Sequence, residues 1–467
     1  MTISLELCAI YFCSTEMLRF FIFLFLCVLS AHAQKVLTIE QCIQLALERN
    51  LQIQQARITQ DIAKVNFDQT KYNYLPDVSG SLNGTRTFGT SFDQITFQRI
   101  QRSSTFSSPR VNLFWTLFSG FANHYTRKQQ FYNYTASEQA VEVAKNTVIM
   151  NVLGTYLAII FDSENLKVAE KRLESLYKQL EKMTALVDAG LRNYSEILNL
   201  NAQIANEKLN IVNLQNQLKK DKLTLLQLIE EENIEGEFVF PPLPELDMNQ
   251  KLPSLEELIQ KAIQNLPEMK QANMRLEANK FAKKLSFANR LPSISMNGGL
   301  GSSYSSNGGI AEFDPLTFRF LGRKRTSYFE QVEDNFNQNI GLTLNVPIFS
   351  RWQNIRSYKI AELNIKSAEI EVETTKNTIT KQVQQAYLDA INAQNRFYAV
   401  QEQLKALTAA YELAEQRYNA GSVDFYTFYE TFGSKFKAES DLIQAKYEFW
   451  LRLKILEIYQ GKNITSL

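Results

Sequence analysis

Few side chains in this sequence combine the residue type and spacing that covalent chemistry requires. Of the 2 histidines, His32 lies in an N-terminal leader. His124, flanked by Asn123 and Tyr125, lacks the neighbours that would complete a metal site, so it reads as a helix-surface residue. Of the 4 cysteines, Cys8, Cys13 and Cys27 fall in the same leader, leaving Cys42 without a partner for a disulfide or a thiolate metal cluster. Carboxylates occur in pairs along several stretches, as general acid–base chemistry would need. No glycine-rich phosphate loop, nucleophile elbow or metal-ligand spacing accompanies them. The sequence therefore predicts no enzyme, no cofactor and no metal. Lys+Arg number 50 against Asp+Glu 49, a balance that gives nucleic acid no basic surplus to bind and excludes it as a partner.

With chemistry set aside, the elements carry the information. Arg19 precedes an apolar run over 20–29, and Ala31-His32-Ala33 supplies a small-x-small cleavage pattern before Gln34, so residues 1–33 read as a leader with a signal peptide. Met17 offers a second start for that leader. Cys27 is an alternative acceptor for a lipid anchor, disfavoured by the bulky Leu26 before it. Beyond the leader the most apolar stretch, 147–161, is interrupted by Asn151 and Gly154 and is shorter than the ~20 residues of a spanning helix.

The rest of the chain is a duplication. Residues 38–79 align with 254–295 without a gap, matching Glu40 to Glu256, Ala46 to Ala262 and Leu75-Pro76 to Leu291-Pro292. Further on, Phe118-Ser119 matches Phe349-Ser350, Tyr156-Leu157 matches Tyr387-Leu388, and Ala189-Gly190 matches Ala420-Gly421. An insertion between Ser295 and Phe349 lengthens the second copy. The repeats are thus 34–252 and 253–467.

All 10 prolines lie outside 110–240 and 348–467, which frees those stretches for long helices. There Val152, Ile159, Leu166, Leu173, Leu180 and Val187 recur every seven residues, joined by Ala169, Leu176 and Met183. Ala386, Ala393, Val400, Leu407 and Ala414 do the same in the second copy, a narrow stripe of the coiled-coil kind. Helices are predicted over about 119–189 and 191–230, and over about 350–420 and 422–460. Glycine turns the chain at each tip. Near the prolines the period falls to two. Val78, Gly80 and Leu82 alternate with Ser79, Ser81 and Asn83, and Ile340, Leu342 and Leu344 alternate with Asn339, Thr343 and Asn345. Strands are predicted over about 76–88, 110–118, 292–304 and 338–349. One such strand is equally a sandwich edge; four in two hairpins, behind a secretory leader, favour a transmembrane barrel. Four strands cannot close one, so the protomer must oligomerise.

This order of leader, short helices, a strand hairpin opened by Leu75-Pro76, Leu117-Phe118-Ser119-Gly120 before a long helix, an Ala-Gly tip, and then all of it again resembles the TolC-like outer-membrane efflux proteins. Arg417-Tyr418-Asn419-Ala420-Gly421 resembles that family's tip motif, and the likeness covers roughly 38–460. The resemblance implies an α+β membrane channel: a homotrimer whose twelve-stranded β-barrel, set in outer-membrane lipid, continues as a long periplasmic α-helical barrel. It implies docking of a periplasmic adaptor (membrane fusion protein) and an inner-membrane transporter at the tips, Ala189, Gly190, Ala420 and Gly421. By the same resemblance Tyr418 and Glu196 form a polar link that closes the tunnel, and Glu430 is a constriction carboxylate. Thr427 replaces a second such carboxylate, and Val423 replaces a basic latch residue.

The inserted segment carries Gly322-Arg323-Lys324-Arg325, which reads as an external loop, either solvated or set against anionic lipopolysaccharide. Phe92, Phe97, Phe313, Phe318, Phe320 and Phe329 form either an interfacial girdle or a loop cap. Pro241-Pro242-Leu243-Pro244 marks the crossover between copies. A competing reading, a periplasmic adaptor built on helical hairpins, accounts for the heptads and the leader but not for the four strands.

Overall fold

The computed structural model describes residues 35–92, 97, 99–100, 103–231, 238–242 and 252–462. The leader with Cys8, Cys13 and Cys27, and Leu243 and Pro244 of the crossover, lie outside the described residues. The chain is mostly helical, with one principal sheet.

The helices repeat in order and in length. α1 (Ile39–Arg49, 11 residues), α2 (Leu51–Tyr72, 22), α3 (Ala122–Asp188, 67) and α4 (Tyr194–Leu228, 35) are followed by α5 (Leu255–Asn265, 11), α6 (Pro267–Ala288, 22), α7 (Gln353–Asn419, 67) and α8 (Phe425–Tyr459, 35). At about 1.5 Å per residue, α3 and α7 are each about 100 Å long. Thr38 and Ser254, at matched positions, cap α1 and α5 by accepting from the backbone N–H of Gln41 and Glu257.

The chain divides into two compact units, each drawing on both repeats: one of residues 1–54, 143–266 and 379–467, the other of 55–142 and 267–378. In the first unit Val148, Val152, Leu153, Tyr156, Leu157, Ile159 and Ile160 of α3 pack with Cys42 and Ile43 of α1 and with Leu225 and Leu226 of α4. α3 is also the helix whose apolar window could cross a membrane by length and composition. Of that window 39% is buried. The Tyr156 hydroxyl donates to the carbonyls of Leu37 (3.3 Å) and Pro241 (2.9 Å), fixing the ends of two other segments to this core.

The second unit holds the sheet. Strands β1 (Asp77–Thr87), β2 (Ser104–Ser119), β3 (Ser293–Gly301) and β4 (Asn337–Asn345) lie in the order β4-β3-β2-β1, all neighbours antiparallel. β2 begins earlier than proline placement suggests. Pro109 pairs with Leu82 just beyond the last β2–β3 pair, Arg110 with Gly301, so its missing N–H falls where the β3 ladder has ended. β4 stops short of Pro347. Both outer strands are exposed along their whole length.

Each long helix starts three residues later than its periodicity suggests. Gly120 and Phe121 adopt φ of 60° and 68°, and the matched Arg351 and Trp352 adopt 48° and 66°, so a left-handed pair turns each strand into its helix. At Gly120 a side chain would meet Leu291 Cβ at 2.6 Å. The inserted segment is ordered rather than a plain loop. Gly309–Phe313 pairs with Phe320–Arg325, which contains the basic run, and a short helix, Tyr328–Asp334, follows. Gln331 of that helix accepts from the Ser305 N–H at 3.0 Å, and Asn335 donates to the Ser303 carbonyl at 2.8 Å.

Candidate gate at the helical tips

Both hairpin tips close in the same way. The Gly190 N–H donates to Val187 O and that of Leu191 to Leu186 O, each at 2.9 Å, while Gly421 donates to Tyr418 O (3.1 Å) and Ser422 to Arg417 O (2.8 Å). Gly190 and Gly421 have φ of 74° and 72°, the left-handed position that ends a helix in this pattern. Ala189 and Ala420 sit just before them and are exposed. Asn193 and Asp424 then cap the return helices, accepting from Ser195 N–H (3.0 Å) and Thr427 N–H (2.8 Å). Thr427 is thereby fixed in the first turn of α8, exposed, and its hydroxyl first and then its N–H hold the Asp424 carboxyl below the usual range.

Between the tips, Tyr418 of α7 and Glu196 of α4 come together. The Tyr418 hydroxyl donates to Glu196 Oε2 at 3.1 Å, and the residue as a whole is only 3% exposed. Burial first, and then the adjacent Glu196 carboxylate, push the phenol pKa up, so it remains a donor. Arg192 supplies what the sequence reading missed. Its guanidinium lies 4.9 Å over the Tyr418 ring, donates to the Tyr418 carbonyl at 3.1 Å and pairs with Glu196 Oε1 at 3.8 Å. Val423 is half-buried against the same apolar cluster. Behind the link, Phe428 stacks on Tyr418 at 4.8 Å with ring planes 11° apart, and Phe432 and Phe436 continue the aromatic row along α8.

A second polar set lies further along the same hairpins. Tyr429 donates to Gln203 Oε1 at 2.7 Å and accepts from Arg172 Nη2 at 3.3 Å, while Arg172 Nη1 pairs with Glu207 Oε2 at 3.3 Å. Glu207 is 5% exposed and also accepts from Asn210 at 3.0 Å. Farther from the tips, Asp162 is buried and hydrogen-bonded to Asp221. Burial, then that bond and the like charge, raise its pKa from 3.8 to about 7. Asp162 continues the seven-residue series Met183, Leu176 and Ala169. Glu207 and Asp221 fall on the series that starts at Leu200. A charged residue at a seam position was the available sequence signal for this set.

Glu430 is exposed and shares with Glu196, Gln203, Asp424, Tyr429 and Lys437 a cleft of about 690 Å³ between α4 and α8. Among the described residues no group of His, Cys, Asp or Glu converges as a metal site would. Cys42 is buried in the core, which pushes its thiol up to about 12, and His124 is an exposed residue of α3.

Two long helical hairpins, together with a sheet of four long strands and the two-residue strand Tyr304–Ser305, its outer long strands fully exposed, are the architecture of outer-membrane channel proteins. The chain belongs to the outer membrane efflux protein family, whose model matches residues 42–230 and 258–453. That membership places it in the outer membrane and does not support the adaptor reading. Outer membrane protein TolC of Salmonella enteritidis is 19% identical over 310 residues, 65% of this chain and 59% of TolC, so the match spans less than two thirds of that relative. TolC of Escherichia coli is 23% identical over 180 residues, 36% of this chain and 35% of that protein. Among solved structures, CusC superposes with a TM-score of 0.75 at 17% identity, covering 91% of this chain and 92% of CusC. VceC of Vibrio cholerae gives 0.74 at 14%, covering 91% and 96%.

Proposed function

We propose that the chain is one protomer of a trimeric outer-membrane channel that passively conducts substrates to the exterior, as part of a tripartite efflux or type I secretion system. The observation that carries this reading is the sheet. β1 and β4 are its two edges, and Val78, Leu82, Ile340, Leu342 and Leu344 on them are 62–78% exposed. Open edges and bare apolar side chains are costly in water and in lipid alike. Pairing β1 of one copy with β4 of the next satisfies both, and three copies of four strands close a twelve-stranded barrel. On this reading the mature chain is two repeats, 34–252 and 253–467, whose long helices continue the barrel as a periplasmic tunnel.

The tips at Ala189, Gly190, Ala420 and Gly421 then receive a periplasmic adaptor and an inner-membrane transporter. The Tyr418–Glu196 link holds the two hairpins together in the closed state, and three symmetry-related Glu430 carboxylates, with Thr427 beside them, line the constriction. Such acidic rings favour cations. No covalent step is required: adaptor contact opens the channel by offsetting a few polar links. The test is the mass of the detergent-extracted protein by light scattering. The reading predicts a trimer; a monodisperse monomer that still inserts into bilayers would contradict it.

A further inference from the structure

The junctions where strands meet helices in the second unit carry a surplus of cations that the channel reading leaves unused. Arg127 and Lys128 lie in the first turns of α3, and Lys284 and Arg290 lie at the end of α6. Arg351 and Arg356 flank the start of α7. All six are exposed. Lys71, Lys280 and Lys283 nearby are paired with Asp68 (2.6 Å), Glu277 (2.7 Å) and Glu362 (3.1 Å). Among the described residues none of the six has a carboxylate within 4.0 Å.

Aromatic side chains accompany them. Phe121 and Trp352, held in the left-handed region at matched positions, are 60% and 55% exposed, and Phe118 meets Phe121 edge-on at 5.4 Å. At the α3 junction this composition forms a cleft of about 420 Å³, lined by Phe67, His124, Arg127, Lys128 and Phe131, with the Arg127 guanidinium 6.0 Å over the Phe67 ring. Apolar rings beside unpaired cations match a molecule that is apolar at one end and anionic at the other. The junctions follow directly on the exposed apolar strands, so if the strands lie in hydrocarbon, the cations lie at headgroup level.

We infer that this belt binds the anionic headgroups of phospholipids in the periplasmic leaflet, with the Arg127–Lys128 cleft as one discrete site. The inference rests on the proposed barrel. A cation beside a membrane surface favours anionic lipid by roughly fivefold.

The test uses the purified full-length protein reconstituted in phosphatidylcholine, with brominated phosphatidylglycerol or brominated phosphatidylcholine added as quenchers of Trp115 and Trp352. The belt predicts that phosphatidylglycerol quenches at roughly fivefold lower mole fraction. The preference should disappear when Arg127, Lys128, Lys284, Arg290, Arg351 and Arg356 are all changed to Gln, and persist in Arg127→Lys/Lys128→Arg. It should also survive millimolar inorganic phosphate; loss of preference there would mean a free-phosphate site and would overturn the lipid assignment. Equal quenching by both lipids in the wild type would overturn the belt while leaving the barrel intact. No quenching by either would remove the barrel and the belt together.

Discussion

The Tyr418 hydroxyl, at the end of the second 67-residue helix, donates to Glu196 Oε2 in the first turn of the helix that leaves the other tip. These residues are far apart in sequence, and the bond joins the two hairpins together with the Arg192 guanidinium, which donates to the Tyr418 carbonyl at the same 3.1 Å. It is a charge-assisted bond in a part-buried setting, of a kind that contributes about 1.5–3 kcal/mol where water is excluded and less where it is not. Arg192 adds a cation on the ring face, so removing the phenol oxygen leaves the ring packing and the Arg192 contacts to the carbonyl in place.

Glu207→Ala should destabilise the protein more than Tyr418→Phe. It strips the partner from Arg172, whose Nε already lacks a hydrogen-bond acceptor, and breaking one side of a buried ion pair costs about 3–5 kcal/mol. Chemical denaturation of the two variants side by side checks the order. A Glu207→Ala midpoint equal to the wild type would show that the pair carries no net stabilisation.

Asp162 makes stability depend on pH. Its carboxyl binds a proton more tightly in the folded chain, with a pKa of about 7, than in the unfolded chain, near 3.8. The contribution is therefore fully present below pH 3.8 and is lost as pH rises to about 7, with a slope of at most about 1.4 kcal/mol per pH unit. Asp162→Asn should remove that slope. Melting curves for both proteins below pH 3.8 and at pH 8 should converge at the acid end and diverge at the basic end; parallel behaviour would rule out the shared proton.

Leu173 lies half-buried in the seam of α3, packed against the aromatic cluster. Leu173→Pro removes a backbone donor and inserts a ring into the preceding turn, at a cost of about 3 kcal/mol or more. Trimer yield and export should both fall. An unchanged yield would argue against a continuous helix through this point.

Much of this was legible in the sequence because one-dimensional periods survive folding. The seven-residue series ending in Leu176 and Met183 is the buried face of α3, and the alternation around Val78 and Ile340 appears as strands β1 and β4. The Tyr418–Glu196 contact came from resemblance alone, and the structure brings the two within hydrogen-bond distance. Arg192 was not legible. Its i,i+4 spacing to Glu196 lies in the sequence, but its two contacts to Tyr418 arise only when the two hairpins pack. Element ends were displaced where local backbone geometry prevailed over periodicity, as at Gly120-Phe121 and Arg351-Trp352.

The most direct test of the whole account is single-channel conductance in planar bilayers at low salt, where charges are least screened. Wild-type trimers, Tyr418→Phe and Glu430→Gln would be compared under identical conditions. The account predicts a small, cation-selective conductance for the wild type, a larger one for Tyr418→Phe, and reduced cation selectivity without loss of trimer for Glu430→Gln. Wild-type conductance and selectivity in both variants would contradict a gate held by Tyr418 and Glu196 and lined by Glu430.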